Sequence, residues 1–329
     1  MYQKNVLVTG GAGYIGSHTC KLLFENGFSP IVFDNLSTGR KDFVKWGPLF
    51  AGDLLNPDDV ESVFQKYRID TVMHFAGKAY VNESSVDPIR YYRENIGGAV
   101  NLLDAFIRHS GKYFIFSSTC ATYGESFSNL IGEDDCQNPI NPYGFTKYAV
   151  EKLIKNLRLM HVFNYSILRY FNAAGADEGL EIGEYHTPET HVIPVMLQAL
   201  VESKEFQILG NDYNTFDGTT IRDYIHVSDL AEAHLSSLKY ITDSQCDLIC
   251  NLGSGSGIST LELAKKMQDI DPLFNFRFGE RRQGDPAKLV ANNSLSTEIL
   301  GITYRKSNID NILNSALAWD KKRRAANGE

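Results

Sequence analysis

A glycine-rich turn near the start of the chain limits the possible folds more than any other feature of the sequence. The segment TGGAGYIG (residues 9–16) follows the apolar run 5–9 and opens a helical stretch. Gly10 permits a tight turn, Gly13 lets a phosphate approach the backbone, and Gly16 allows the helix to pack closely on the strand. Glycines are common in turns, but this position between strand and helix predicts the first unit of a parallel α/β sheet.

Short apolar runs and helical stretches alternate through the first half of the chain. A helix is expected from Pro57, because Asn56 is a good cap and Asp58 and Asp59 lie near the positive end of the helix dipole. The alternation predicts a doubly wound parallel sheet, the Rossmann fold, with helices on both faces. The predicted strands are 5–9, 30–33, 48–51, 71–75, 113–116 and 165–170, and further helices are predicted at 14–26 and 90–109.

The second half of the chain has a less regular pattern. Residues 172–190, rich in Gly, Glu, Asp and Pro, are interpreted as a long functional loop. We therefore expect a nucleotide-binding Rossmann domain over residues 1–171 and a smaller α/β substrate-binding domain over residues 172–329. Segment 222–240 is a candidate for packing back onto the first domain. The helices expected in this half lie near 192–202, 227–240 and 260–268.

Composition excludes several classes of protein. With 32 basic and 40 acidic residues the net charge is −8, which argues against binding to a nucleic-acid backbone. Apolar runs in the sequence are shorter than the roughly 18 to 20 residues of a membrane span. The five cysteines include no CxxC pair, so free thiols in a reducing cytoplasm are expected. No metal site is predicted.

An acidic residue at the end of the second strand indicates which dinucleotide the glycine turn binds. Asp34 comes 18 residues after Gly16, close to the roughly 20 expected for the acid that holds an adenosine ribose. Its charge would repel a 2′-phosphate, so NAD is favoured over NADP. An aspartate that only caps a turn is the alternative on local grounds.

Two patterns further along the chain point to chemistry on a hydroxyl group. Tyr143 and Lys147 lie four residues apart on one face of a helix that begins at Asn141-Pro142. An ammonium and a positive nicotinamide ring favour the phenolate, which could accept a proton while NAD takes a hydride. Thr119 follows a strand and could bind the reacting oxygen. Taken alone, the pair is also typical of a solvated helix face, and Thr119 of a turn.

Longer motifs follow in order along nearly the whole chain. They are TGGAGYIG at 9–16, DNLSTG at 34–39, GDL at 52–54, HFAG at 74–77, FSSTCATYG at 116–124, NPYGFTK at 141–147, LRYFNAAGA at 168–176, RDYIHVSDLAEAH at 222–234 and RRQGD at 281–285. Together they resemble the UDP-glucose (UDP-galactose) 4-epimerases of the extended short-chain dehydrogenase/reductase family.

The resemblance implies an isomerase that interconverts UDP-glucose and UDP-galactose through a 4-keto intermediate, with a tightly bound NAD that is not consumed. It makes Tyr143 the base, with Lys147 and Thr119 as its catalytic partners. The implied cofactor contacts are Gly10, Gly13, Tyr14, Ile15, Gly16, Asp34, Asn35, Asp53, Leu54, Phe75, Ala76, Gly77, Asn95, Ser117, Tyr143, Lys147 and Phe171. The implied UDP-sugar contacts are Thr119, Asn172, His191, Val192, Arg222, Arg282, Asp285 and Leu289.

The sequence departs from the family pattern at a few positions and leaves several choices open. Thr119 replaces the usual Ser, and His191 stands where Asn is common. The substrate is predicted to be UDP-glucose and UDP-galactose, with the N-acetylated UDP-hexosamines as further candidates because Leu289 occupies a position where Tyr is associated with hexoses lacking that group. A UDP-pentose 4-epimerase is the alternative. The resemblance also implies a homodimer, for which helices 90–109 and 142–160 are the candidate interface. The pathway, galactose catabolism or the supply of polysaccharide precursors, stays open.

A 4,6-dehydratase is disfavoured, because such an enzyme needs an acidic pair where Cys120 and Ala121 stand. An inactive NAD-binding regulator is disfavoured because Thr119, Tyr143 and Lys147 are all present.

Overall fold

The computed structural model describes residues 4–126, 128–282 and 284–328. Within them, seven parallel strands form the main sheet in the spatial order β10-β6-β5-β4-β1-β2-β3. The strands are β1 (Lys4–Thr9), β2 (Phe28–Asp34), β3 (Leu49–Ala51), β4 (Thr71–His74), β5 (Tyr113–Thr119), β6 (Asn164–Tyr170), β7 (Asn172–Ala174), β8 (Phe206–Leu209), β9 (Ile221–His226), β10 (Leu248–Leu252), β11 (Gly257–Ser259), β12 (Phe276–Gly279) and β13 (Lys288–Leu289).

Helices cover both faces of the main sheet. Along β1, Val6 and Val8 pack into the core on one face with side chains from the first and eighth helices, whereas Leu7 packs on the opposite face. The alternation follows from the two-residue period of a strand. The helices are α1 (Tyr14–Glu25), α2 (Pro57–Lys66), α3 (Val81–Val86), α4 (Pro88–Tyr91), α5 (Gly98–Arg108), α6 (Pro142–Met160), α7 (Val192–Val201), α8 (Val227–Ser244), α9 (Thr260–Ile270), α10 (Ser294–Leu300) and α11 (Ile309–Asn327).

A smaller region lies beyond the carboxyl ends of the main strands. There β9 pairs with β7 and β13 in parallel and with β11 in antiparallel fashion, and β8 pairs with β12. Side chains of α7, α9 and α11 form its core. The predicted division between residues 171 and 172 stays a prediction; β10, from the second half of the chain, is the outermost strand of the main sheet, and α8 packs in the core beside α1.

Three sequence predictions differ from the observed elements. The loop predicted over residues 172–190 begins with the strand β7, Asn172–Ala174. The single helix predicted at 90–109 is instead α4, a π-helical turn over Tyr92–Gly97, and α5. The predicted strand 113–116 continues to Thr119 as β5, so that Thr119 is its last residue. Among the described residues, no helix has both the length and the apolar character needed to cross a membrane.

Candidate active site

The glycine turn has the close backbone contacts that its pattern predicts. Gly10 has a φ of +72°, and a Cβ there would lie 2.7 Å from the backbone nitrogen of Ala76. At Gly16 a Cβ would lie 2.3 Å from the carbonyl oxygen of Gly10, so helix α1 approaches the turn more closely than any side chain allows. At Gly13 a Cβ would lie 3.2 Å from the Gly10 carbonyl oxygen, a tight contact, with no other described atom beyond its chain neighbours within 4 Å. Apart from that one contact, the position is open at the start of α1, where a helix favours an anion.

Asp34 is the last residue of β2 and its carboxylate lies beside the glycine turn. It accepts hydrogen bonds from the backbone N–H of Ala12 at 3.0 Å and of Leu36 at 2.8 Å. Burial raises the pKa of Asp34, while the two N–H donors lower it. The carboxylate is thus fixed at the end of the strand where an adenosine ribose is expected.

A second group of predicted cofactor residues meets at the carboxyl ends of β4 and β5. The Nζ atom of Lys147 donates a hydrogen bond to the Ser117 carbonyl oxygen at 2.9 Å. A Cβ on Gly77 would lie 2.9 Å from Oδ1 of Asn95 and 3.9 Å from Nζ of Lys147. Asn95 lies in the π-helical turn, and its carboxamide bonds both the N–H and the C=O of Lys78. Burial lowers the pKa of Lys147 to about 8, so it stays largely protonated at neutral pH.

The predicted catalytic pair is buried at the same place. Tyr143 lies in the first turn of α6, which Asn141 caps by accepting a hydrogen bond from the backbone N–H of Gly144. Burial raises the pKa of the Tyr143 phenol, and a side-chain hydrogen bond with Thr119 acts in the opposite direction. The structure therefore brings Tyr143, Lys147 and Thr119 together, on α6 and at the end of β5, as the sequence predicts.

Helix α6 is held against the sheet by a buried ion pair that the motifs did not identify. Arg169 on β6 and Glu151 on α6 are both almost fully buried, and Nη2 of the arginine is 2.7 Å from Oε2 of the glutamate. Ser118, next to Thr119, donates to the other oxygen of Glu151 at 2.5 Å. Arg169 also donates to the Tyr123 hydroxyl at 2.8 Å. The sequence does hold one indication of this pair, because an arginine within the apolar run of β6 is expected to be buried, and a buried charge needs a partner of opposite charge.

The predicted UDP-sugar contacts come from distant segments. Arg222 on β9 donates to Oδ1 of Asp285 at 3.2 Å, and Nη1 of Arg282 lies 3.9 Å from Oδ2 of the same carboxylate. Leu289 on β13 is opposite Arg222 in the strand register and is buried with Cys120 and other side chains. Two guanidinium groups thus flank the Asp285 carboxylate. Leu289, the strand partner of Arg222, connects this group to Cys120, the residue after Thr119.

The remaining predicted residues lie around these groups. Phe171 is buried in the same apolar cluster as Leu289, and Asn172 donates to the backbone oxygen of Asp223 at 2.9 Å. His191 occupies the N-cap position of α7 without a side-chain capping hydrogen bond, and Val192 is the first residue of the helix. On the cofactor side, the Tyr14 hydroxyl donates to the Gly175 carbonyl oxygen at 2.6 Å, and Asn35 donates to Asp53 at 3.2 Å. The backbone N–H groups of Phe75 and Ala76 both donate to the carbonyl oxygen of Thr9. Ile15 and Phe75 pack on the core, and Leu54 packs against the start of α5.

Sequence comparison adds to this geometry. Residues 6–253 match the family described as NAD dependent epimerase/dehydratase family. The chain belongs to this family. Its relatives include a UDP-glucose 4-epimerase of Rhizobium meliloti (strain 1021), which is 43% identical over 325 residues, 98% of this chain and 99% of the relative.

Solved structures of similar proteins give the same result. The UDP-glucose 4-epimerase from Brucella ovis, crystallised in complex with NAD, is 44% identical, with a TM-score of 0.92 over 96% of this chain and 98% of the other. The UDP-glucose 4-epimerase from Bifidobacterium longum, in complex with NAD+ and UDP, is 34% identical, with a TM-score of 0.92 over 97% of this chain and 98% of the other. The predictions of a doubly wound fold, of this family and of NAD as the cofactor are confirmed.

Proposed function

We propose that this epimerase/dehydratase family member interconverts UDP-glucose and UDP-galactose by reversible oxidation at carbon 4 of the sugar. The observation that carries the proposal is the burial of Tyr143, Lys147 and Thr119 at one end of the sheet, next to the glycine turn. Each of the two half-reactions needs a group that removes or returns a proton on the 4-hydroxyl. The Tyr143 phenol, buried beside Thr119 and Lys147, is the group to which we assign this proton transfer.

The residues present fit an NAD molecule. Gly13 leaves room at the start of α1 for a pyrophosphate, Asp34 offers a fixed acceptor for the adenosine ribose, and Lys147 offers a donor beside Ser117. When bound, NAD supplies the acceptor for the hydrogen of carbon 4 and a positive ring that favours the phenolate. Gly13, Asp34 and Lys147 are held in these positions by the turn, the strand end and helix α6, respectively.

The proton transfer is assigned to Tyr143. Burial raises the pKa of its phenol, so the phenolate needs positive charge nearby, and the protonated Lys147 one helical turn away contributes to it. Thr119 donates its hydroxyl hydrogen to the reacting sugar oxygen and holds it toward the phenol. Because the reaction returns the proton to the same oxygen, one base serves both directions.

Binding of the nucleotide sugar is assigned to the arginines on the other side of the crevice. Arg222 and Arg282 flank Asp285, and a diphosphate matches their planar donors better than it matches single ammonium groups. Asn172, His191 and Val192 line the approach from the start of α7 and from β7. These contacts place carbon 4 of the sugar toward Tyr143.

We further propose that the chain forms a homodimer through α4, α5, α6 and the π-helical turn between them. Ile89 is 70% exposed, and the rings of Tyr92 and Phe145 stack 5.6 Å apart while both remain exposed. Apolar side chains exposed on neighbouring helices are typical of a protein interface. The five free thiols favour the cytoplasm as the location.

The proposed function is tested by incubating the purified protein with UDP-galactose, UDP-N-acetylgalactosamine and UDP-xylose in separate reactions, without added cofactor. We expect UDP-glucose from the first reaction and NAD in a denatured extract of the protein. Conversion of UDP-xylose alone would favour the pentose epimerase instead. An extract that contains mainly NADP, or no dinucleotide, would contradict the proposed cofactor binding.

A further inference from the structure

Two histidines and two glutamates gather in the segment that leads into α7, and one of them, His191, is also a proposed contact of the nucleotide sugar. One ligand atom from each of Glu184, His186, Glu189 and His191 lies within 4.8 Å of all the others. Nδ1 of His186 is 3.5 Å from Oε1 of Glu184 and 3.5 Å from Oε2 of Glu189, and Nδ1 of His191 is 3.7 Å from Oε1 of Glu189. Nδ1 of His191 is also hydrogen-bonded directly to Oε1 of Glu184, so these two atoms must move apart for both to bind one ion. Four ligands at about 2.0 to 2.1 Å from a tetrahedral metal would be roughly 3.3 Å apart. We infer that these four side chains form a binding site for a divalent transition metal, with Zn²⁺ as its occupant.

The environment of the cluster supports a metal site more than a solvated group of charges. The Glu184 and Glu189 side chains are 6% and 11% exposed. Nδ1 of His186 is buried and, in the part of the chain that the structure describes, has no hydrogen-bond partner. A buried ring nitrogen without a partner is unusual, and its nearest polar neighbours are the two carboxylates. A metal ion at the centre would satisfy it.

The composition of the cluster suits a divalent ion. Two carboxylates and two neutral imidazoles carry a summed charge of −2, which one Zn²⁺ ion balances, and both kinds of group are zinc ligands.

Neighbouring groups fix the four side chains. The backbone N–H groups of Thr190 and His191 donate to Oε1 of Glu189 at 2.8 and 2.9 Å. Trp319 on α11 donates to the backbone oxygen of Glu184 at 2.9 Å. The ring of Tyr80 contacts both His186 and His191. Such contacts outside the ligands orient a metal site.

Four protein ligands complete a tetrahedral zinc, so the role of the site is structural. The metal would fasten the segment before α7 to its own helix, close to Tyr14 at the start of α1, whose ring contacts His186. His191 would bind through Nδ1, and its other ring nitrogen stays available for the proposed contact with the nucleotide sugar. The inference does not depend on the proposed reaction.

The experiment uses tag-free protein with its bound dinucleotide, dialysed against a chelator and then titrated with ZnCl₂ by calorimetry. We expect one Zn²⁺ per chain with a Kd below about 1 µM, and no heat from MgCl₂, because imidazole ligands favour zinc over magnesium. His186→Ala should weaken zinc binding at least about 100-fold, whereas His161→Ala, which removes an exposed histidine outside the cluster, should leave it unchanged. Equal zinc binding in wild type and His186→Ala, or none in wild type at 100-fold higher zinc (about 100 µM), would overturn the inference.

Two further measurements keep the test decisive if His186→Ala does not fold. Glu189→Gln retains an oxygen for the two backbone donors but loses the charge, so the fold should persist while zinc affinity falls about 10-fold or more. X-ray absorption spectroscopy at the zinc edge of the zinc-loaded wild type should show a first coordination shell of nitrogen and oxygen, with the outer-shell scattering of imidazole. A shell that contains sulfur, or one without imidazole, would place the metal elsewhere and overturn the assignment.

Discussion

The cofactor end and the substrate end of the crevice are built in different ways. At the cofactor end, the part expected to meet the pyrophosphate is backbone: the turn around Gly10, the start of α1 at Gly13 and the close contact at Gly16 all follow one strand. At the substrate end they are side chains from separate segments, with Arg222 on β9 and Asp285 in the loop before β13.

This difference explains how each end can change. A backbone site depends on glycines that no other residue can replace without moving the chain. A side-chain site can be altered one residue at a time, because the supporting strands do not depend on the contacts that their side chains make with the ligand. We therefore expect changes at the cofactor end to affect the fold or the bound dinucleotide, and changes at the substrate end to affect binding of the nucleotide sugar alone.

The largest effect is expected where the two ends meet, at Tyr143. Tyr143→Phe removes the base and keeps the ring, so turnover should fall about 100- to 10,000-fold while bound NAD and melting temperature stay close to wild type. Tyr148→Phe, the same change further along α6 at a half-buried position, is the control and should keep full activity. The assay is the rate of epimer formation with dinucleotide content measured in parallel. More than a tenth of wild-type turnover in Tyr143→Phe would mean that another group is the base.

At the substrate end, Arg222→Ala should raise KM for UDP-galactose about 10- to 100-fold, because a charge-assisted hydrogen bond to phosphate is worth about 1.5 to 3 kcal/mol. The dinucleotide content should not change. Arg282, whose side chain is 42% exposed against 14% for Arg222, should give a smaller effect when changed to Ala. Loss of bound NAD in Arg222→Ala would show that the two ends are not independent.

At the cofactor end, two glycine substitutions separate packing from ligand approach. Gly16→Ala places a methyl group 2.3 Å from the Gly10 carbonyl oxygen, so it should destabilise the fold by about 1 to 3 kcal/mol. Gly13→Ala meets only the Gly10 carbonyl oxygen, at 3.2 Å, a tight contact that a small shift relieves, so it should lower the melting temperature of the NAD-free protein clearly less than Gly16→Ala does, while lowering NAD content. The check is thermal unfolding of both variants after removal of the dinucleotide. Equal destabilisation by both would contradict the separate roles assigned to them.

The same contrast explains which parts of the molecule could be predicted from its sequence. The glycine spacing and Asp34 lie within 35 residues of one another, and they were sufficient to predict NAD; the alternation of strands and helices over residues 5–170 predicted the Rossmann fold. Arg222 and Asp285 are 63 residues apart in the chain. Nothing local distinguishes them from solvated surface charges, so only the resemblance to a family pointed to them.

Three features were not predicted from the sequence. The pairing of Glu151 with Arg169 depends on how α6 packs against β6, which no local pattern encodes. The cluster from Glu184 to His191, for which a metal is proposed, has a spacing, E-x-H-x₂-E-x-H, that is visible in the sequence but was not weighed there. The π-helical turn that carries Asn95 has no distinctive sequence signal, which is why one continuous helix was predicted there.

The smallest effect, and the sharpest test of the substrate end, is expected at Leu289. Leu is shorter than the Tyr associated with hexoses that lack an N-acetyl group, so wild type should convert UDP-N-acetylglucosamine measurably but less well than UDP-glucose. Leu289→Tyr should lower the ratio of the two kcat/KM values about tenfold, with UDP-galactose turnover nearly unchanged, and Leu289→Met, which conserves volume, should leave the ratio as it was. Leu289 is buried with Cys120 and Phe171, so the alternative is that it only fills the core. In that case Leu289→Tyr would lower the melting temperature and reduce both activities equally, and Leu289 would not determine specificity.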